Sequence, residues 1–421
     1  MAMMRPSFQA FTQKDIVQQI YLGIDFGTSY TKVSYSYAPT NVPQIQTIKW
    51  NGDFFKQTVL YIQNDKLYFD KPNGNYQEVK YFKYSIVESE LKNNSQITKN
   101  NFEQMCCVYF LAQVIKRSLI VIKNDLHIQN METIKVSVNM GVPLENFYDE
   151  VNKNNKGLYL DILEDAVLLA GGCAVKATIP ENQVLISNLD NVYTEILKKK
   201  ARVLWNVNVY PELAAELMLY HQSKFVPDGV YSIIDVGGGT VDIALFQKKK
   251  STLEGSSYMY CLGQKVLPYG VEILQKTPHK VSENNYKKTF SEMIINSKNY
   301  MDVHYHDYKK LDVFFLGGGS TNNWYTNYIS QVKLLYGNEY KYGIPPLTFA
   351  RSIEEFIESD ETLLQKNQRL IISQMLARHK DDIENVKGFP DFYIAQKNES
   401  IEEDKFDFDS YLSERGDKYR D

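Results

Sequence analysis

The chain has 421 residues, of which 43% are hydrophobic and 23% charged, and its formal net charge is −4. This length predicts two lobes rather than one core, and the slightly negative charge argues against a general electrostatic role with nucleic acid. The four cysteines include no CxxC pair, and neither a signal peptide nor an apolar run of the ~20 residues that span a membrane is evident, so we expect a cytoplasmic protein that does not insert into membranes.

The first half of the chain begins with a predicted β-hairpin. YLGIDFGTS (21–29) has the pattern of a buried strand and a turn, and TKVSYSY (31–37) resumes the alternation of a second strand. Two short strands are expected at 55–63 and 66–70. The hydrophobic pattern then predicts a long buried helix at 101–123, a strand at 133–143, and a helix at 159–172 that ends at two glycines.

The second half contains two more glycine turns. A strand end and a helix are predicted across 208–223, and YSIIDVGGGTVDIALF (231–246) predicts a second hairpin. DVFFLGGGSTNNW (312–324) predicts a strand, a glycine turn and the start of a helix. The residues from 399 onward are acidic with few aliphatic side chains, which is typical of a flexible or peripherally docked tail. Further helices are expected at 284–301 and 353–386.

The glycine turns indicate an anion-binding site. Successive backbone N–H groups without Cβ atoms between them let phosphate oxygens approach closely, and the hydroxyls of Thr28, Ser29 and Thr240 add neutral donors. The strand-end carboxylates of Asp25 and Asp235 would hold a divalent cation or its waters. An ordinary hairpin turn is the simpler explanation of the lone DxGT sequence, whereas three glycines flanked by two aspartates are harder to explain by turn geometry.

The three turns, in this order, resemble the nucleotide-binding motifs of one superfamily. GIDFGTSYTKVS resembles the phosphate-1 motif of the actin, sugar kinase and heat-shock 70 kDa chaperone ATPases, SIIDVGGGTVDIALF the phosphate-2 motif, and FFLGGGSTNNW the adenosine motif. VSVNMGVP and VYPELAAE resemble the connecting segments, so the resemblance covers roughly residues 20–385. The motifs are most similar to those of DnaK-type chaperones, while MGVPLENFYDE and the Pro-Glu pair of VYPELAAE resemble ParM-like plasmid-segregation proteins.

The resemblance implies an α/β fold with two ribonuclease-H-like lobes, and ATP or ADP with Mg2+ in the cleft between them. By position, Asp25 and Asp235 would face the metal through water, and Glu212 would orient the attacking water or be an ordinary first-turn glutamate. Lys83 loosely resembles a lysine that reaches the terminal phosphate in some chaperones, although a solvated surface lysine is the favoured interpretation. The phosphates would contact Gly27, Thr28, Ser29, Tyr30, Gly237, Gly238, Gly239 and Thr240, and the adenosine Gly318, Gly319 and Ser320.

The departures from the family predict the domain boundaries and the partners. The first lobe is expected at 1–205, with a small outer subdomain near 42–98 and an inserted segment at 144–205. The second lobe is expected at 206–395, with a reduced outer subdomain near 255–305. The residues that follow the third turn are expected to complete the second lobe, which would leave no room for a chaperone peptide-binding domain. The insert or the acidic tail (396–421) would bind protein partners, self-assembly stays open, and any contact with nucleic acid would be indirect.

Three functions are compatible with these residues. The favoured one is a slowly hydrolysing ATPase that acts as a nucleotide-dependent switch in a multiprotein assembly, because phosphoryl transfer to water without a strong general base is slow. The second is a filament-forming, ParM-like protein that segregates plasmid or other DNA. A sugar or acetate-type kinase fits least well, because the motifs match poorly and no apolar sugar site is evident.

Overall fold

The structure, a computed structural model, is a mixed α/β protein with two six-stranded sheets and one four-stranded sheet. Most of the predicted helices at 284–301 and 353–386, and the tail from 399, lie outside the residues that it describes. The described residues are 19–38, 45–85, 102–129, 134–143, 153–171, 183–185, 205–222, 228–250, 257–276, 278, 288–289, 311–320, 322–325, 347–349, 368–378 and 386–387.

The first sheet is built around the N-terminal hairpin. β1 (Gln19–Phe26) pairs antiparallel with β2 (Tyr30–Ala38), which confirms the first predicted hairpin. The parallel strands β8 (Lys135–Val142) and β10 (Asn206–Pro211) continue the sheet beyond β1, so β10 lies in this sheet although it follows the boundary expected at residue 205. The short strands β3 (Gln46–Thr47) and β4 (Lys56–Gln57) pair antiparallel with β2.

The second sheet repeats this plan. β11 (Gly229–Val236) and β12 (Val241–Lys250) form the second predicted hairpin, and β13 (Ser257–Leu267), which lies within the segment 255–305, pairs antiparallel with β12. The other strands are parallel to their neighbours: β14 (Leu311–Leu316), β15 (Leu347–Phe349) and the edge strand β16 (Val386–Lys387). The strands β15-β14-β11-β12-β13 therefore have the same spatial order and the same relative directions as β10-β8-β1-β2-β3 of the first sheet.

A four-stranded antiparallel sheet shares the core of the first sheet. β5 (Val59–Gln63) and β6 (Lys66–Tyr68) form a hairpin close to the strands predicted there, and β7 (Gln77–Lys80) pairs with β5. β9 (Gln183–Leu185) pairs with β6 and comes from the segment 144–205. Buried side chains of all four strands pack in one cluster with those of β1, so part of the segment 144–205 belongs to the core of the first sheet.

The helices cover the sheets. α2 (Phe102–Asp125) is a long, mostly buried helix, as the sequence predicts, and packs against α3 (Lys153–Leu169). By length and composition α2 could cross a membrane, but most of it is buried inside the protein, as in the core of a soluble protein. α3 begins at Lys153, ahead of the predicted start at 159. The sequence did not indicate this earlier start, because the first turn is polar and shows no hydrophobic period. The described α-helices are α1 (Phe82–Ser85), α2 (Phe102–Asp125), α3 (Lys153–Leu169), α4 (Glu212–Gln222), α5 (Val271–Lys276) and α6 (Ile371–Leu376).

Two helices connect the two large sheets. α4 follows β10 of the first sheet and packs against β12, β13 and β16 of the second. α6 packs against β1, β2 and β8 of the first sheet. The approach is closest at Gly23, where a Cβ would meet backbone atoms of Ser373 and Ala377. Side chains of α4, α6 and the second sheet share one buried cluster, so these helices fix the positions of the two central hairpins relative to each other.

Candidate functional site

The turn of the first hairpin is held by a neighbouring threonine. Thr58 donates its hydroxyl to the carbonyl of Gly27 (2.8 Å) and its backbone N–H to the carbonyl of Ser29 (2.9 Å). The hydroxyls of Thr58 and Thr31 are also hydrogen-bonded, at 2.9 Å. A Cβ at Gly27 would meet the carbonyl of Tyr30, so this tight turn requires glycine. These bonds draw the carbonyls toward Thr58 and fix the turn from outside the hairpin.

The turn of the second hairpin is anchored by α5. The backbone N–H of Gly237 donates to the carbonyl of Thr240 at 2.9 Å and closes the turn. The carbonyls of the glycine run accept hydrogen bonds from the start of α5, in the pairs Gly270–Gly239, Val271–Gly237 and Glu272–Gly238 at 3.0, 3.0 and 2.8 Å. A Cβ at Gly270 would meet backbone atoms of this run. The close contact therefore fixes the direction of the turn carbonyls.

The third glycine turn lies against the end of β11. Gly317 has φ +79°, which favours glycine, and a Cβ there would meet Oδ1 of Asp235 and the carbonyl of Val236. The backbone N–H of Gly319 donates to the same carbonyl at 2.9 Å. The third turn is thus packed directly beside the carboxylate that ends the second hairpin strand.

The two hairpin turns face each other across one cavity. A Cβ on Gly238 would meet Oγ of Ser29, so the turns are almost in contact. The cavity between them has a volume of about 220 Å³, below the range of about 300–1,000 Å³ typical of small-molecule pockets. Its lining includes every predicted site residue apart from the buried Ser320: Asp25, Gly27, Thr28, Ser29, Tyr30, Glu212, Asp235, Gly237, Gly238, Gly239, Thr240, Gly318 and Gly319.

Charged side chains that the motifs did not predict also line the cavity. Lys32 lies opposite Asp25 in the hairpin register and binds it at 2.6 Å, a position that strand alternation could have indicated. Glu216 stands four residues after Glu212 on α4, a spacing that places two side chains on one helix face. No local pattern indicates Glu272 and Arg369, because these two residues come from distant segments of the chain. The full set is Lys32, Glu216, Glu272 and Arg369.

Lys83 is buried and belongs to the site, so its interpretation as a solvated surface lysine is wrong. Its side chain lines the cavity and donates to Oε1 of Glu212 at 2.9 Å. Its Nζ also lies 5.4 Å from the centre of the Phe26 ring. The burial of Lys83 could not be predicted from the sequence, because α1 is a single turn that is too short to show a hydrophobic period. The ion pair gives Glu212 a specific partner at the start of α4.

Three buried carboxyl groups lie close together near the turn of the second hairpin, those of Asp235, Asp242 and Glu216. Burial raises the pKa of Asp235 to about 6, opposed by its hydrogen bond with Glu216 and by the charge of Lys32. Burial, followed by the charges of neighbouring carboxylates, raises the pKa of Glu216 and of Asp242 well above the usual range. These carboxyl groups therefore hold protons more readily than usual, and a bound cation would favour their ionised forms.

These donors fit a magnesium ion held mainly through water. Oδ1 of Asp235 is buried without a hydrogen-bond partner among the described residues. In the same part of the chain, no three histidine, cysteine or carboxylate side chains form a group that could hold a metal. Mg2+ commonly binds through one or two carboxylates, with waters and substrate phosphates completing its shell. Asp25 and Asp235 are such a pair, and Asp25 already shares its charge with Lys32.

Comparisons with known proteins do not assign the chain. No family model matches it, and no curated protein matches its sequence. The grounds for inferring a function are therefore the motifs, the two facing turns and the charged groups between them.

Proposed function

We propose that the protein binds ATP with magnesium and hydrolyses ATP slowly, as a member of the superfamily of actin and the 70 kDa heat-shock chaperones. The observation that carries this proposal is the pairing of two hairpins, one from each of two sheets with the same strand order, whose glycine turns face each other over one cavity. We assign a ribonuclease-H-like lobe, a mixed sheet flanked by helices, to each of these sheets.

The phosphates of the nucleotide would be bound from both lobes. Backbone N–H groups of the glycine turns and the hydroxyls of Thr28, Ser29 and Thr240 would donate to phosphate oxygens. Lys32 and Lys83 line the cavity from the first lobe, and hydrogen bonds between a lysine and a phosphate are stronger than neutral ones. Each lysine is already paired with a carboxylate, so the phosphates would enter an existing network of charges.

The hydrolytic step would depend on position more than on a strong base. Asp25 and Asp235 would hold Mg2+ through its waters, and the metal would neutralise charge on the phosphates. Glu212 would orient the attacking water while Lys83 holds its carboxylate in place. A carboxylate paired with a lysine is a weak general base, so slow turnover is expected.

Slow turnover suits a conformational switch. A ligand bound by both turns would draw the lobes together, and hydrolysis or exchange would change the angle between them by hinge and shear motion. Protein partners bound through the segment 144–205 or the acidic tail would respond to this angle within an assembly. Any contact with nucleic acid would be made through such partners.

Calorimetric titration of the full chain with ATP and Mg2+ tests this proposal, together with a phosphate-release assay. We expect binding and slow, magnesium-dependent turnover.

Asp25→Ala or Asp235→Ala should reduce turnover at least about 100-fold with the fold intact, and Glu212→Ala should slow turnover but keep ATP binding. Asp53→Ala, which removes an exposed carboxylate outside the cavity, should change neither. The absence of binding, or wild-type turnover in both cavity aspartate variants, would overturn the proposal.

A filament-forming, ParM-like protein is the second candidate. It is favoured by Pro211 and Glu212, which join β10 to α4 as the motif VYPELAAE suggests. Negative-stain electron microscopy with ATP, with ADP and without nucleotide separates the two candidates. Filaments that depend on nucleotide would favour the second, and single particles that turn over ATP would favour the switch.

A further inference from the structure

A carboxylate from the second lobe reaches into the phosphate turn of the first lobe. Glu272, on α5, accepts a hydrogen bond from the hydroxyl of Ser29 at 3.3 Å and another from the hydroxyl of Tyr81 at 2.8 Å. Ser29 belongs to the first hairpin turn, and Tyr81 directly follows β7 of the four-stranded sheet. One side chain therefore links the two lobes at two points beside the cavity.

Neighbouring cations and an unusual backbone conformation support this link. The Nζ of Lys276 lies 3.5 Å from the centre of the Tyr81 ring, a cation–π contact. Lys80 and Lys276 are both close enough to interact electrostatically with Glu272. Tyr81 has φ +62°, which tyrosine rarely adopts. Such conformations persist where the surrounding contacts over-determine them, often in segments that switch.

Glu272 also accepts a hydrogen bond from a hydroxyl that a phosphate would use, that of Ser29. Its Cγ lies 3.5 Å from the Cβ position of Gly238, and its backbone N–H is bonded to the carbonyl of that glycine. The side chain thus stands where the two glycine turns meet. A carboxylate and a phosphate are both anions that accept from a hydroxyl, and two like charges at one site repel each other strongly when water is excluded.

We infer that Glu272 is an internal competitor of the terminal phosphate of the nucleotide, and that its displacement separates α5 from Tyr81. The inference rests on the proposed function. It adds a conformational step by which the protein would respond to the bound nucleotide. Without nucleotide, Glu272 joins the lobes through Ser29 and Tyr81. When the phosphate takes the hydroxyl of Ser29, the carboxylate leaves, and the contact between α5 and the end of β7 opens.

The affinity of charge-removing variants for MgATP tests this inference. Glu272→Gln keeps the size of the side chain and removes its charge, so MgATP should bind about 10-fold more tightly than to the wild type in calorimetric titrations. Tyr81→Phe removes one of the two hydroxyls that hold Glu272, so it should tighten binding about 3-fold. Asp53→Asn removes an exposed carboxylate that does not line the cavity, and it should leave the affinity unchanged.

The outcomes separate this inference from the function on which it rests. Unchanged or weaker MgATP binding in both Glu272→Gln and Tyr81→Phe, with wild-type binding intact, would overturn the inference and leave the proposed function standing. The absence of MgATP binding by the wild type would overturn both. Should Glu272→Gln fail to fold, Tyr81→Phe decides alone, because it keeps every charge and removes only a hydroxyl.

Discussion

At the scale of single residues, the ion pair between Lys83 and Glu212 joins two distant parts of the chain within the site. The side chains are only 5% and 12% exposed. Lys83 lies on α1, shortly after β7, and Glu212 opens the helix that crosses to the second sheet. A buried ion pair adds little net stability, but the removal of one partner leaves the other charge buried and unpaired.

Lys83→Met should therefore lower the free energy of unfolding by about 2–4 kcal/mol, because Glu212 loses its partner. The double variant Lys83→Met/Glu212→Gln should recover most of this loss. Urea denaturation at neutral pH measures both effects, and Lys49→Met, at an exposed lysine, should stay within about 0.5 kcal/mol of the wild type. Glu212→Gln alone completes the cycle, and a double variant whose loss equals the sum of the losses in Lys83→Met and Glu212→Gln would show that the side chains act independently.

The predictability of each site residue depended on how local its surroundings are. Asp25, Asp235 and the glycines stand in contiguous motifs, because a strand and its turn place them together. Lys83, Glu272 and Arg369 reach the cavity from segments that are remote in sequence. Their positions depend on how those segments pack onto the two hairpins, and neither periodicity nor turn chemistry encodes such packing.

At the scale of elements, the contact between α6 and β1 determines how the two halves of the chain meet. β1 is the central strand of its sheet, flanked by β2 and β8, and is buried along most of its length. Gly23 leaves a gap in its face, into which the backbone of α6 and the next residue fits. Two further contacts hold the helix: Ser34 shares a hydrogen bond with Ser373 at 2.9 Å, and Ser36 donates to the carbonyl of Ala377 at 2.6 Å.

Gly23→Ala should lower the free energy of unfolding by about 3 kcal/mol or more, because the new methyl group overlaps backbone atoms that cannot rotate away. Gly157 provides a matched control. It lies within α3 with open space around a Cβ, so Gly157→Ala should stabilise the protein by about 0.5–1 kcal/mol. Thermal unfolding followed by circular dichroism measures both variants. Equal changes in the two would contradict the close packing of α6 on β1.

The elements themselves were largely predictable, whereas their arrangement was not. Both hairpins, α2 and α4 follow from alternation, turn residues and helical periodicity over short windows. The pairing of β9 with β6 joins residues far apart in sequence, and a three-residue strand carries too little pattern to identify its neighbour. The return of α6 to the first sheet is likewise a long-range contact that no local signal specifies.

At the scale of the whole molecule, the cavity belongs to neither half of the chain alone. Each large sheet supplies one hairpin turn and one strand-end aspartate, and α4 and α6 connect the sheets on either side. A ligand bound by both turns would therefore favour the arrangement in which the two turns are close. Binding and closure would be a single equilibrium, because a ligand shifts a conformation by its differential affinity for the two states.

Gly238 is the position at which this coupling can be tested. MgATP at about 100 times its dissociation constant should stabilise the wild type by about 2.7 kcal/mol. In Gly238→Ala the atom nearest to the new Cβ is the rotatable hydroxyl of Ser29, while Cβ of Ser29 and Cγ of Glu272 lie 3.3 and 3.5 Å away, so part of the stabilisation should remain. Gly238→Val should hold the turns apart and abolish it.

Differential scanning fluorimetry with and without MgATP measures this loss, and Gly157→Ala should show the full shift. Both Gly238 variants should also lose some stability without nucleotide, because the new side chain overlaps Ser29, so the shift caused by MgATP is compared with and without the ligand within each variant. The branched side chain of Gly238→Val would fill the space between the two turns. If MgATP stabilised this variant as strongly as the wild type, the two turns could not be binding the same ligand.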